Sequence, residues 1–122
     1  GQGTGGGALA LVPADRVIAA QHAWLSPLPP EGASAIVYRD TGHAPEMADK
    51  QGVRSLDLLR AGIVDRVVAE HPDAADEPEA FCRRIGQVLQ HELVRLLQVD
   101  GRARHAERLA RYRRLGTDGA GG

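Results

Sequence analysis

The sequence predicts a mixed α/β fold closed by a helical pair, and three observations carry that reading. Ile63-Val64-Asp65-Arg66-Val67-Val68 is too dense in β-branched residues for a helix and is predicted to be a strand. Phe81, Cys82, Ile85, Val88, Leu89, Leu93, Leu96 and Leu97 recur at helical spacing, which predicts one long amphipathic helix of about 35 Å. Between Gly1 and Gly7 five of the seven residues are glycine, and the run leads into Ala8-Leu9-Ala10-Leu11, a short apolar segment able to turn as a helix.

Taken in order, Gly7 to Val12 is predicted as that short helix, stopped by Pro13, with no strand before it. Arg16 to Ala20 reads as a buried strand and Ala23 to Ser26 as a second short one. Pro27-Leu28-Pro29-Pro30 is an extended passage poor in backbone donors. Pro30 then suits the first position of a helix running to Arg39, with Glu31 in its first turn. Asp40-Thr41-Gly42 is a turn. Further helices are expected from Ala44 towards Gly52 and from Val53 or Ser55 to a left-handed terminus at Gly62. After the strand at 63–68 and a loop at 71–75, Asp76 is expected to cap the long helix, which ends at Asp100-Gly101. A last helix follows from Arg102 to Leu115. The tail 116–122 is too glycine-rich to hold structure, which makes the domains 1–70, 71–115 and 116–122.

Composition narrows the function classes. At 122 residues the chain is one domain at most. Lacking an initiating Met and opening inside a functional-looking loop, it is expected to be a piece of a longer protein. With 15 basic against 16 acidic residues no global field favours nucleic acid, and aromatics at 3% are too few for base-stacking platforms. Cys82 is the only cysteine, so an internal disulfide is excluded and a cytoplasmic location is expected. The longest apolar run, Ala8 to Val12, is far below the roughly 20 residues of a membrane helix.

The glycine stretch carries the chemistry. Free N–H groups at a helix start, with glycines that let another molecule approach the main chain, suit a phosphate, a carboxylate or an oxyanion. A nucleotide-hydrolase phosphate loop needs Lys and then Ser or Thr after its last glycine, whereas Gly6 is followed by Gly7 and Ala8. Gly1-Gln2-Gly3-Thr4-Gly5-Gly6 satisfies the dinucleotide pattern G-x-G-x-x-G, but that pattern needs a preceding strand and a long following helix. A third chemical reading is an oxyanion hole built from adjacent backbone N–H groups, and beside all three stands a plain tight turn with close packing around it.

Gly3-Thr4-Gly5-Gly6-Gly7-Ala8-Leu9-Ala10, Ser26, Pro30-Glu31-Gly32-Ala33-Ser34-Ala35-Ile36, Ala44-Pro45 and Gly62-Ile63-Val64-Asp65-Arg66-Val67-Val68, in that order, resemble the carboxyltransferase component of acetyl-CoA and related acyl-CoA carboxylases. The likeness is to the C-terminal, α-type half and covers about residues 1–70. The wider crotonase superfamily shares the glycine loop and the Gly-Ile-Val-Asp entry. The resemblance implies a crotonase-like spiral of ββα turns and transfer of a carboxyl group from carboxybiotin, on a biotin carboxyl carrier protein, to an acyl-CoA, as in fatty-acid precursor (malonyl-CoA) synthesis. It places the oxyanion site for the biotin ureido oxygen on Gly6 and Gly7, and the pocket wall on Gly5, Ala8, Ser26, Pro30, Glu31, Gly32 and Ala33. It further implies an oligomer with a thioester-binding half that this chain does not contain. One departure is visible: the family's compact Ser-Pro-Glu-Gly is here interrupted by Leu28-Pro29.

Other candidates read as structure. The five histidines are scattered without metal-ligand spacing, so no metal site is expected. Cys82 lies on the apolar stripe and is expected to be a buried thiol. Ser26 and Ser34 lack a nearby His-Asp pattern. Arg102, Arg104, Arg108, Arg111, Arg113 and Arg114 read as a solvated face. The contrasting possibilities are another crotonase-superfamily CoA enzyme, or a noncatalytic module whose stripe from Phe81 to Leu97 docks a partner helix.

Overall fold

A computed structural model describes residues 2–115. The predicted tail at 116–122 lies outside the described residues. The elements are β1 (Gln2–Thr4), α1 (Gly5–Leu9), β2 (Ile18–Ala20), β3 (Trp24–Ser26), α2 (Pro30–Tyr38), α3 (Ala44–Gln51), α4 (Ser55–Arg60), β4 (Arg66–Val68), α5 (Pro78–Leu97) and α6 (Gly101–Arg114). The α/β class holds, in two small sheets: β1 pairs parallel with β3, and β2 pairs parallel with β4.

A strand does precede the glycine turn. β1 forms because Gln2, Gly3 and Thr4 lie in register with Trp24, Leu25 and Ser26. On its other flank β3 is met by the segment before α4, through Leu25 N–H to the Val53 carbonyl (2.9 Å) and Ser55 N–H to the Ala23 carbonyl (3.1 Å). The strand predicted at 63–68 is halved for a specific reason. The N–H groups of Ile63 and Val64 both turn back to the Leu58 carbonyl, at 2.9 and 3.1 Å, and close the end of α4. Only Arg66–Val68 then remain to pair with β2.

The helices begin and end largely where their punctuation directs. Pro30 opens α2 with Glu31 in its first turn, while Gly52 (φ 61°) ends α3 and Gly62 (φ 73°) follows α4. Asp76 does not cap α5; that position falls to Glu77, whose carboxylate is engaged by Arg84 rather than by the first turn. Asp100 caps α6, accepting from the N–H groups of Arg102 (2.9 Å) and Ala103 (3.2 Å).

The core is small. Ala33, Val53, Leu58, Val64 and Val68 are its buried apolar residues. Three serines are fully buried beside them, and each hydroxyl closes a connection: Ser26 donates to the Leu28 carbonyl (2.5 Å), Ser34 to that of Asp40 (2.6 Å) and Ser55 to that of Gln21 (2.5 Å).

The expectation of one broad buried stripe on α5 is corrected. Phe81, Ile85, Val88 and Leu96 turn inward together with Glu92, which is buried, while Cys82, Leu89, Leu93 and Leu97 are exposed. Helical periodicity gives spacing, and two apolar rows about 100° apart read as one wide row until a neighbour selects between them. The solvated face on α6 is also only partly right. Arg111 donates to Asp65 (2.8 Å) and to the Ile63 carbonyl (2.5 Å), and Arg104 donates to the Leu96 carbonyl (3.0 Å). Tyr112 joins the same helix to the chain after α1, donating to the Val12 carbonyl (2.5 Å) and accepting from Ala14 N–H (3.1 Å).

Candidate functional site

The glycine turn is presented at the end of β1 and is held there by the pairing with β3. Its glycines have different reasons for being glycine. A Cβ on Gly3 would stand 3.0 Å from Leu25 Cδ1 and 3.3 Å from the Trp24 carbonyl, so the two strands approach too closely for a side chain. Gly5 has φ 71°, a conformation that L side chains rarely adopt. Neither reason applies to Gly6 and Gly7. Both are exposed, and among the described residues a Cβ on either meets nothing within 4 Å. Thr4, the residue before α1, makes no side-chain cap bond, so no hydroxyl occupies the donors of the first turn.

The predicted wall residues divide between two clefts. Ala8 lies with Gly3, Leu11, Ile18, Trp24 and Leu25 along an apolar cleft of about 310 Å³. Pro30 and Glu31 lie with His22, Trp24, Pro45 and Arg54 along another of about 470 Å³. Trp24 borders both. Gly6 and Gly7 stand outside each of these linings. Ser26 and Ala33 are buried, at 0% and 4% exposure, and line neither cleft. Register sets Ser26 directly beside Thr4, next to the turn. Leu28 folds over Gly32, where a Cβ would meet Leu28 Cδ1 at 3.3 Å, and its carbonyl takes the Ser26 hydroxyl. The two residues that interrupt the expected Ser-Pro-Glu-Gly are thus packed onto its ends.

Sequence reasoning missed an ionic junction between the segment before β2, the entry to β4 and the two terminal helices. Arg16 reaches both Asp65 (3.1 Å) and Glu92 (2.8 Å), Arg66 reaches Glu92 (3.4 Å), and Arg111 closes onto Asp65. The Arg16 guanidinium holds the Glu92 carboxyl below the ordinary glutamate range, against the opposing effect of burial. The signal was a lone acid, Glu92, on the inward row of an amphipathic helix. Beside this junction α6 and the segments around Arg16 and Asp65 border a cleft of about 440 Å³ lined by Arg104, Arg108, Arg111 and Arg114 with Asp15, whose Oδ1 is buried, pairs with Arg108 at 3.7 Å and has no hydrogen-bond partner among the described residues. Among the described residues no helix is long and apolar enough to cross a membrane.

Comparison with known proteins places this geometry in a family. The chain is 60% identical over 116 residues to a probable biotin-dependent acyl-coenzyme A carboxylase beta3 subunit of Mycobacterium tuberculosis, covering 95% of this chain and 23% of that protein. It is 41% identical to the acetyl-coenzyme A carboxylase carboxyl transferase subunits beta/alpha of Salinispora tropica, covering 99% of this chain and 22% of that one. It is 38% identical to the carboxyl transferase subunit alpha of Methylobacterium nodulans, covering 95% and 37%. The chain therefore spans between about a fifth and two fifths of the length of these relatives. The acetyl co-enzyme A carboxylase carboxyltransferase-like family matches residues 1–116, and the chain belongs to that family as part of a carboxyltransferase component.

Proposed function

We propose that this chain forms the C-terminal, α-type part of a biotin-dependent carboxyltransferase that moves a carboxyl group from carboxybiotin to an acyl-CoA. Biotin, on its carrier protein, supplies the carboxyl group. The backbone N–H groups of Gly6 and Gly7 donate to the biotin ureido oxygen as negative charge gathers on it. The observation that carries this reading is the open space over those two glycines. Among the described residues neither packing nor a positive φ requires glycine there, whereas an approaching ring would. Trp24, Pro30 and Glu31 would shape the neighbouring wall, with Ser26 and Ala33 bracing it. The acceptor thioester is held by a half outside these 122 residues, so the chain alone is inactive. The product would feed fatty-acid synthesis, as malonyl-CoA when the acceptor is acetyl-CoA.

The same reading covers the fold and the partners. β2 and β3 follow one another, and each pairs parallel with a strand from a different stretch, β4 and β1 respectively. Stacking of that kind is what successive ββα turns of a crotonase-like spiral produce. The exposed outer row Leu89, Leu93 and Leu97 suits a covered surface in an oligomer.

Gly7→Val in the full carboxylase tests the assignment. The Val side chain leaves the N–H in place but stands where the ring must approach it, so carboxyl transfer should fall by about 100-fold, as when one oxyanion donor is put out of reach, while the melting temperature stays within a degree or two because a Cβ there meets nothing within 4 Å among the described residues. Undiminished turnover would remove the oxyanion role from Gly7.

A further inference from the structure

We propose that His22, Glu70 and Asp73 form a binding site for a first-row divalent cation of the zinc class. The fold sets two of the three side by side. β2 and β4 are parallel with Ala20 opposite Val68, so His22 and Glu70 stand two residues beyond that pair, at the carboxyl ends of neighbouring strands. Two hydrogen bonds fix this register past the strands: Gln21 N–H donates to the Val68 carbonyl (2.8 Å), and Glu70 N–H to the side-chain Oε1 of Gln21 (3.0 Å). Asp73 arrives from the loop that follows.

Each carboxylate is aimed by a hydrogen bond to its other oxygen. Ala74 N–H donates to Glu70 Oε1 (3.0 Å), and Ala75 N–H donates to Asp73 Oδ1 (2.9 Å). Glu70 Oε2, which also accepts His22 N–H at 2.7 Å, and Asp73 Oδ2 then converge on one atom, His22 Nδ1, at 3.5 and 3.4 Å. The three donor atoms lie within 4.8 Å of one another.

Those distances favour a shared cation over a shared proton. A charge-assisted N–H···O bond is about 2.7–2.9 Å long, and one ring nitrogen carries one proton, which cannot serve two carboxylates at once. A tetrahedral ion about 2.1 Å from each ligand sets its ligands about 3.4 Å apart. One imidazole with two carboxylates is a donor set for zinc or a neighbouring transition metal, not for magnesium, which takes oxygen ligands in an octahedron. The His22 and Asp73 side chains are about half exposed, so the fourth position faces solvent. An ion there would staple the ends of β2 and β4 to the loop after them, beside the cleft that His22 shares with Glu31.

Calorimetric titration of the purified protein with zinc chloride near neutral pH should show one equivalent bound, with magnesium chloride failing to compete. Cobalt(II) in place of zinc should give the intense visible bands of a tetrahedral site. His22→Ala and Asp73→Asn, both at exposed positions, should each weaken binding by about tenfold or more and abolish those bands, while His91→Ala changes neither. Glu70→Gln is less useful alone, because Glu70 is buried and also holds backbone. No zinc binding by a folded protein, or equal binding in His22→Ala and Asp73→Asn, would overturn the site.

Discussion

Gly5, Gly6 and Gly7 adjoin one another yet are constrained by different things, and stability can separate them. Gly5 sits at φ 71°, so Gly5→Ala should cost about 1 kcal/mol. Gly6 lies in α1 with open space around its Cβ position, so Gly6→Ala should be neutral or stabilising by up to about 1 kcal/mol. Chemical denaturation of the two variants checks this, and equal losses would show that Gly6 is constrained within the chain. The glycine run was legible in the sequence as a backbone-built site because glycine density is itself the signal. What distinguishes Gly3, Gly5 and Gly6 was not legible. It depends on how near Leu25 comes and on which residue takes the positive φ, and both are set by the pairing of β1 with β3.

At the scale of elements, the hold of α5 on the rest of the chain is electrostatic at its first turn. Arg84 bonds both oxygens of Glu77, at 2.8 and 2.9 Å, and reaches the Ala69 carbonyl (2.5 Å), while His71 N–H donates to Glu77 Oε1. The Arg84 hydrogen bonds hold the Glu77 carboxyl down to about 2, with the His71 N–H assisting and desolvation opposing. A depressed folded value means the pair stabilises the fold above the ordinary value of about 4.5 and loses that contribution as pH falls towards about 2. Melting temperature followed from pH 6 to pH 2 should therefore fall less steeply in Glu77→Gln than in the parent, and parallel curves would exclude the pair as a source. Helices were the readable elements, since Pro30, Gly52, Gly62 and Pro78 act locally. β1 was not readable, because Gln2-Gly3-Thr4 has no alternation of its own and is a strand only by virtue of Trp24-Leu25-Ser26. Glu92 shares the row of Val88 and Leu96 by spacing, but its partner was hidden, since Arg16 lies 76 positions earlier.

At the scale of the whole molecule, the outer row of α5 is left uncovered, with Leu89, Leu93 and Leu97 exposed by 45%, 59% and 80%. Sedimentation at micromolar concentration should show self-association of this chain, and Leu93→Glu combined with Leu97→Glu should abolish it. A strictly monomeric parent would leave that face without a covering role. The opposite end of the helical pair is already satisfied, by the Tyr112 hydroxyl lying between the Val12 carbonyl and Ala14 N–H. Those partners are 100 and 98 positions from it along the chain. In kinetic terms this closes a long loop, and its entropy must be met before the contact rewards it. The helices can form early from local contacts, whereas the stretch behind the glycine turn gains its anchor only when α6 docks. The setting of the glycine turn is thus completed from far downstream, by a side chain 100 and 98 positions from the backbone groups it holds.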